Sequence, residues 1–386
     1  MSAFLEALPS NKREELPGGG LRQVAIGFPT MPGTNGHAPA ATETTYLITG
    51  GAGFIGSHLT EAILSRGDRA IVLDDLSTGS MRNLAGMAHQ PGLLTVTGSI
   101  RDELVVDELM HRCDAVVHLA AAVGVRLILE EPLRSFTTNL RGSEVVIGAA
   151  HRYQRPILIA STSEVYGKNG HSALTETADR ILGPTTVARW AYSTAKAVDE
   201  ILALTYHRER GLPAVVTRLF NTVGPRQSAA YGMVIPTLVK QALLGQPLTV
   251  FGDGQQSRCF CHVADTVDGL LRVLDNRRAV GSVFNVGSTE EITILELART
   301  IVEKTGSSSE IQLVPYDEAY QEGFEDMRRR VPNVSKIEAL TGWRPRHTLD
   351  DILTHTIADV RWELGRCPDA DQISIKNGLV ASSASL

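Results

Sequence analysis

A doubly wound α/β fold, a parallel sheet with helices on both faces followed by a smaller C-terminal α/β substrate lobe, is predicted by three observations. Short apolar runs of strand length alternate with helical-period segments from Thr45 onward. Those runs show little polar alternation, as expected of strands buried on both faces. A glycine-rich turn joins the first run to the first helical segment, as nucleotide-binding sheets of this kind require.

The strand candidates are Tyr46–Thr49, Ala70–Asp74, Leu93–Thr97, Ala115–Leu119, Pro156–Ser161 and Pro213–Leu219. Between them lie helix candidates at Phe54–Arg66, Arg101–Arg112, Thr138–Arg152 and Tyr192–Arg210. Regular β-α alternation of this kind builds a parallel sheet. After Leu219 the rhythm loosens. Helices are expected at Gly232–Leu244, Val263–Asp275 and Thr293–Lys304, with strands at Leu248–Phe251 and Val283–Val286. Thr293 and Glu296 have the spacing of a capping box. The expected organisation is a mobile arm over 1–43, with a short helix near Phe4 to Leu8, and a dinucleotide-binding domain over 44–220. A lobe over 221–366 follows, with some segments returning to the sheet, and then a loose tail over 367–386.

Composition narrows the function. The chain has 386 residues, 43% hydrophobic and 21% charged, and 37 basic against 43 acidic residues give a net charge of −6. A nucleic-acid binder needs a basic surface, so that class is excluded. No apolar run reaches the roughly 18 residues of a membrane span. Cys113, Cys259, Cys261 and Cys367 form no CxxC, which argues against a disulfide scaffold or a metal site and for a reducing compartment. No signal-peptide layout is seen at the N-terminus, and the expected location is the cytoplasm.

The strongest local signal is Tyr46-Leu-Ile-Thr-Gly50-Gly51-Ala-Gly53-Phe54-Ile55-Gly56. Its glycines serve a tight turn, a close approach of backbone to a pyrophosphate, and helix–strand contact. The helix opening at Phe54 aims its N-terminal amides at the phosphates. Asp74, ending the next strand, is placed to bond the adenosine ribose, and it would repel a 2′-phosphate, which favours NAD over NADP. Ser77, Thr78 and Gly79 beside it supply no cation. A structural turn with a surface Asp is the plainer alternative.

Tyr192 and Lys196 stand at i and i+4 on one helix face. An ammonium one turn away lowers the tyrosine pKa, so the pair can accept a hydroxyl proton at neutral pH. By itself YxxxK is commonly a solvated face. It gains weight from Ser161-Thr162-Ser163-Glu164-Val165-Tyr166-Gly167 at the end of a buried-type strand.

Together, the glycines, Asp74, the hydroxyl cluster and Tyr192/Lys196 resemble the extended short-chain dehydrogenase/reductases that modify nucleotide sugars, over roughly Thr45 to Leu364. The resemblance implies a Rossmann-type domain holding NAD, a UDP- or dTDP-sugar in the C-terminal lobe, and oxidation of the sugar at C4. Within the family, 4,6-dehydratases carry an Asp-Glu pair after the catalytic Thr. Here Ser163 takes the place of that acid, which disfavours dehydration. C4 epimerases usually have a small residue where Glu164 stands. Thr162-Ser163-Glu164 instead resembles the UDP-glucuronic acid decarboxylases, and so does Arg258-Cys259-Phe260.

The resemblance further implies roles. Tyr192 takes the proton of the 4-hydroxyl, and Thr162 bonds the C4 oxygen. The C4 ketone makes the C5 carboxylate a β-keto acid that loses carbon dioxide, and the developing enolate needs placed donors. Glu164, if buried, would have a raised pKa and mediate proton transfer at C5. Its plainer alternative is an acceptor for backbone amides. Arg258 is a proton donor or carboxylate neighbour, or a diphosphate ligand as in epimerases. Ser99, Ile100, Leu119, Ala120 and Ala121 complete the cofactor set; Leu119 and Ala120 pass near the nicotinamide ribose. Val123, Ser163, Arg189, Asn221, Phe251 and Arg330 complete the substrate set, with Phe251 against the uracil or in a core, and Arg330 on the diphosphate or in a solvated run with Arg328 and Arg329. The expected activity is conversion of UDP-glucuronic acid, through UDP-4-keto-hexuronic acid, to UDP-xylose or a released 4-keto pentose. A C4 epimerase of UDP-glucuronate or UDP-glucose is the alternative. A non-catalytic nucleotide-binding regulator is a third class, which would have little use for Thr162, Glu164, Tyr192 and Lys196 together. Family members commonly dimerise through helices like Arg101–Arg112 and Tyr192–Arg210, so a homodimer is expected.

Overall fold

Seven parallel strands carry the architecture. The computed structural model describes residues 43–123, 131–187, 190–315, 318 and 327–366. Most of the expected arm, its short helix, the tail over 367–386 and Arg189 lie outside the described residues.

Six strands come before residue 220: β1 Thr45–Thr49, β2 Arg69–Asp74, β3 Leu93–Thr97, β4 Ala115–His118, β5 Ile157–Thr162 and β6 Ala214–Leu219. The seven-stranded sheet runs β11-β6-β5-β4-β1-β2-β3, with β11 (Val283–Val286) as an edge strand. The expected strand at Val283 therefore belongs to the main sheet, registered against β6 from Val216 to Leu219. Chain order reverses beside β1: β2 and β3 build outward on one side, β4 and β5 on the other. Ligands of such sheets bind at that switch, beyond the carboxyl ends of the strands.

Both sheet faces are apolar because successive strand residues point to opposite sides. Tyr46 and Ile48 join one buried cluster, while Leu47 between them joins the other. The first cluster holds α1 (Phe54–Ser65) and, after α2 to α5, α6 (Val263–Leu274), through Leu59, Ile63, Val267 and Leu270. The second holds α2 (Glu103–His111), α3 (Pro132–Arg152) and α4 (Ala191–Arg210). Helix α3 begins six residues before the predicted Thr138, with Pro132 in its first turn, where the missing N–H costs nothing.

Further elements form a third cluster of their own. They are α5 (Val234–Leu243), β8 (Leu248–Phe251), α7 (Ile294–Thr305) and α9 (Leu349–Arg366), around Leu238, Val250, Leu297 and Leu353. Thr293 and Glu296 make the reciprocal capping box the sequence suggested. Short strand pairs stitch this region: β7 (Thr222–Val223) with β10 (Cys261–His262), β9 (Ser257–Cys259) with β12 (Glu291–Thr293), and β8 with β13 (Ile311–Val314). The short α8 (Ser335–Thr341) precedes α9.

Candidate active site

A cleft of about 1740 Å³ opens at the switch point, floored by the carboxyl ends of β1, β4 and β5 and walled by α5 and α9. Its first wall is the glycine turn. Gly50 has φ +73°, and a Cβ there would lie 2.8 Å from the Ala120 amide nitrogen. At Gly56 a Cβ would lie 2.1 Å from the Gly50 carbonyl oxygen. These two positions tolerate glycine alone because backbone, which cannot swing away, fills the space. Helix α1 then starts with no side-chain cap and no acidic residue in its first turn, leaving a positive helix end toward the cleft.

Asp74 ends β2 at the same rim. Its Oδ2 accepts from Ala52 N at 3.0 Å and its Oδ1 from Leu76 N at 2.9 Å. Burial pushes its pKa up, against those two amide bonds. Ser77, Thr78, Ile100, Leu119, Ala120, Ala121 and Val123 line the cleft with it. Gly79 and Ser99 are absent from that lining; a Cβ on Gly79 would press on Asp74 Oδ1 at 2.7 Å, and the Ser99 hydroxyl caps Arg101 N. The Ala122 backbone is held at both its N–H and its C=O by Asn139 of α3.

The opposite wall is the turn Ser163–Tyr166 after β5, with Thr162, Ser163, Glu164 and Tyr192 all on the cleft. Thr162 Oγ1 caps the turn by accepting from Glu164 N at 3.2 Å. Glu164 Oε1 lies 2.7 Å from Arg330 Nη1, which also donates to Ser163 Oγ at 3.2 Å. Glu164 is therefore in a charge-assisted bond to Arg330, a partner that neither the raised-pKa reading nor the backbone-amide alternative had named. Arg328 and Arg329 make surface ion pairs with Asp253 and Glu291, while Arg330 turns inward and is 4% exposed. The solvated-run alternative for Arg330 is thereby overturned.

One expectation is corrected. The Tyr192 phenol is pushed above its ordinary pKa, first by burial and then by the charges of Glu164 and Asp199. The expected lowering by Lys196 is offset because Lys196 Nζ lies 2.9 Å from Asp199 Oδ2, both buried behind the wall. Arg258 is not among the cleft-lining residues; it sits on β9 with Nη1 donating to the Ser257 carbonyl at 2.8 Å. Phe251, at the end of β8, is off the cleft wall too.

Asn221 lines the cleft with φ +27°, a backbone state few non-glycine residues hold. Its Nδ2 donates to the Cys259 carbonyl at 2.9 Å and its own carbonyl accepts from Cys261 N. Arg226, at φ +66°, ties the same loop to Glu61 on α1 and, through its amide, to Asp359 on α9.

Below the turn lies a buried network that sequence reasoning missed. Glu200, one turn beyond Lys196, takes Arg218 side-on at 2.7 and 2.9 Å and also bonds the Ser161 hydroxyl. Arg218 Nη1 reaches the Tyr166 hydroxyl at 2.9 Å, and Tyr166 donates to Asn285 Oδ1 at 2.7 Å. The readable signal was two acids, Asp199 and Glu200, on the side of the Lys196 helix that must face the sheet.

Known proteins match this arrangement. The GDP-mannose 4,6 dehydratase family profile matches residues 47–356. A UDP-N-acetyl-α-D-glucosaminuronate decarboxylase of Bacillus cytotoxicus is 38% identical over 312 residues, 81% of this chain and 96% of that protein. UDP-glucuronic acid decarboxylase 4 of Arabidopsis thaliana is 35% identical over 82% of this chain and 68% of its own length. Among solved structures, the UDP-glucuronic acid 4-epimerase of Bacillus cereus, in complex with UDP-glucuronic acid and NAD, superposes with a TM-score of 0.75 at 26% identity, covering 83% of this chain and 99% of that one. The dTDP-glucose 4,6-dehydratase of Streptomyces venezuelae, with NAD bound, gives 0.76 at 30%, covering 83% and 98%. With its sheet, its glycine turn and four-fifths of its length accounted for in this way, the chain belongs to the GDP-mannose 4,6-dehydratase family of extended short-chain dehydrogenase/reductases.

Proposed function

We propose that this protein is an NAD-dependent decarboxylase of UDP-glucuronic acid, forming UDP-xylose by way of a UDP-4-keto-hexuronic acid. The observation that carries the reading is the turn Thr162-Ser163-Glu164 lining one cleft together with Tyr192, with Arg330 against Glu164. A hydroxyl stands where a dehydratase needs an acid, and a carboxylate stands where an epimerase needs none. The glycine cradle that any Cβ would fill, the uncapped α1 and Asp74 fit a dinucleotide. Gly50, Gly53, Phe54, Ile55, Gly56 and Asp74 would hold NAD, which supplies hydride acceptance and return at the sugar C4.

The chain's own groups do the rest. Tyr192 receives the 4-hydroxyl proton, and Thr162 donates to the C4 oxygen as charge grows on it. When carbon dioxide leaves, C5 takes up a proton in its place, relayed from solvent through Glu164, whose carboxylate carries none of its own while paired with Arg330. Arg330, on the cleft beside it, is better placed than Arg258 to attract the substrate carboxylate or diphosphate. Asn221 and Val123 border the sugar.

Incubation of the purified protein with UDP-glucuronate tests the proposal. Carbon dioxide and a UDP-pentose are expected; a C4-inverted hexuronate would establish the epimerase instead. The same assay with UDP-N-acetylglucosaminuronate asks whether the activity of the Bacillus cytotoxicus relative is shared.

The proposal extends to a cytoplasmic homodimer. Three buried free thiols, Cys113, Cys259 and Cys261, suit a reducing compartment. Leu133 on α3 and Ile201 on α4 are 79% and 59% exposed, with Phe136 and Val198 near them in sequence on the same helices, an apolar surface that favours burial against a second copy.

A further inference from the structure

Behind the cleft wall, buried polar side chains form one hydrogen-bonded line. Lys196 donates to Asp199, three residues further along α4. The Ser143 hydroxyl on α3 also faces the Asp199 carboxylate and, with the Lys196 charge, favours its ionised form against the burial that raises its pKa. Ser143 Oγ lies 2.9 Å from His118 Nε2, and His118 Nδ1 lies 2.7 Å from Thr49 Oγ1. Thr49 Oγ1 accepts from the Ala120 amide at 3.3 Å. Thr49 and His118 are wholly buried, Ser143 and Asp199 all but so.

One end of the line fixes its direction. A carboxylate only accepts, so Ser143 gives its proton to Asp199 and must receive one from His118. His118 therefore carries hydrogen on Nε2, and its bare Nδ1 accepts from Thr49. The Thr49 oxygen in turn accepts from Ala120. Every donor points toward Asp199, and Lys196 meets it from the other side.

We propose that Asp199 is the positioning residue for Lys196, held in place by this one-way chain from the ends of β1 and β4. The inference rests on the function proposed above for Tyr192 and Lys196. A buried ammonium without an anion is driven to give up its proton. Asp199 supplies the anion, and the chain supplies the rigidity that keeps Lys196 below Tyr192. Other charges face this cluster: Glu164 from the turn after β5, paired with Arg330, and Glu200 on α4, paired with Arg218. His118, from β4, is kept neutral by burial and by the nearby Lys196 charge.

Two variants separate charge from scaffold. Asp199→Asn keeps the shape and removes the charge; Ser143→Ala keeps the charge and breaks the line. Removing a negative charge disfavours the proton on every group around it, so the whole kcat/KM pH profile for UDP-glucuronate is expected to move about one unit to lower pH in D199N. In S143A it falls in height with its limbs in place. Limbs that stay put in D199N overturn the proposal. Histidine ring ¹⁵N NMR on the full-length protein gives a readout free of substrate. Wild-type His118 is expected to be protonated at Nε2 alone. In D199N the introduced amide keeps its oxygen on Lys196 and offers N–H to Ser143, reversing the line and moving the His118 proton to Nδ1. Should the wild type turn over no UDP-uronic acid, the proposed function falls while the NMR still decides. A wild-type proton on Nδ1, a cationic His118, or a tautomer unmoved in D199N each overturns the chain.

Discussion

Glu164 Oε1 and Arg330 Nη1 sit 2.7 Å apart on the wall of the cleft, joining the turn after β5 to a residue more than 160 positions later. The pairing places a fixed anion–cation couple on the cleft wall that also carries Thr162 and Tyr192. Arg330 also donates to Ser163, so one guanidinium organises two side chains of the turn.

Glu164→Gln keeps the shape of this side chain and loses its proton chemistry. Pentose formation from UDP-glucuronate should fall by about 10²-fold or more, the usual contribution of an acid–base group. Retained NAD, read by absorbance of the denatured protein, should be unchanged. Unaltered turnover would remove Glu164 from the mechanism.

Tyr192→Phe removes the only hydroxyl of that side chain on the cleft wall. Loss of about 10²- to 10⁴-fold in kcat is expected with an unchanged thermal midpoint. A variant that retains wild-type kcat would show that another group takes the 4-hydroxyl proton.

The glycine turn makes a paired prediction. Gly56→Ala would drive a methyl to 2.1 Å from the Gly50 carbonyl, so the protein should lose bound dinucleotide and melt several degrees lower. Gly148→Ala, in mid-α3 with open space around it, should gain about 0.5–1 kcal/mol from helix propensity. Calorimetry with cofactor quantification distinguishes the two.

Acid should destabilise the fold through buried imidazoles. Burial, then the Lys196 charge, lowers His118 from 6.5 to about 3; burial, then His347 and His355, lowers His262 to about 4. The folded pKa lies below the unfolded one in both cases. Their contribution is therefore complete above about pH 6.5 and is lost as pH falls through the window toward 3–4. For His118 the slope is about 1.4 kcal/mol per pH unit. Urea unfolding at pH 7, 6 and 5 would read it; a flat profile would place a charged imidazole in the fold.

Leu133→Glu with Ile201→Glu places charge on an exposed apolar surface of α3 and α4. The homodimer proposal expects a monomer in sedimentation velocity and wild-type secondary structure in circular dichroism. A wild type already monomeric would dispose of the proposal.

Local rules carry far in this chain. Two-sided apolar runs, a glycine turn forced by backbone crowding, and a reciprocal cap at Thr293 and Glu296 are decided within a few residues of themselves. The sheet, the cofactor turn and the Thr162/Tyr192 wall were therefore legible in the amino-acid order. Tertiary structure alone decided which charges meet. Lys196 faces Asp199, Glu164 faces Arg330, and Arg218 locks Glu200. Arg258, though it stands in a motif, does not line the cleft, while Arg330 enters it out of a run of three arginines. Electrostatic partners are set by packing across sequence distances that no spacing rule encodes, and a buried charge takes its protonation from the partner it finds.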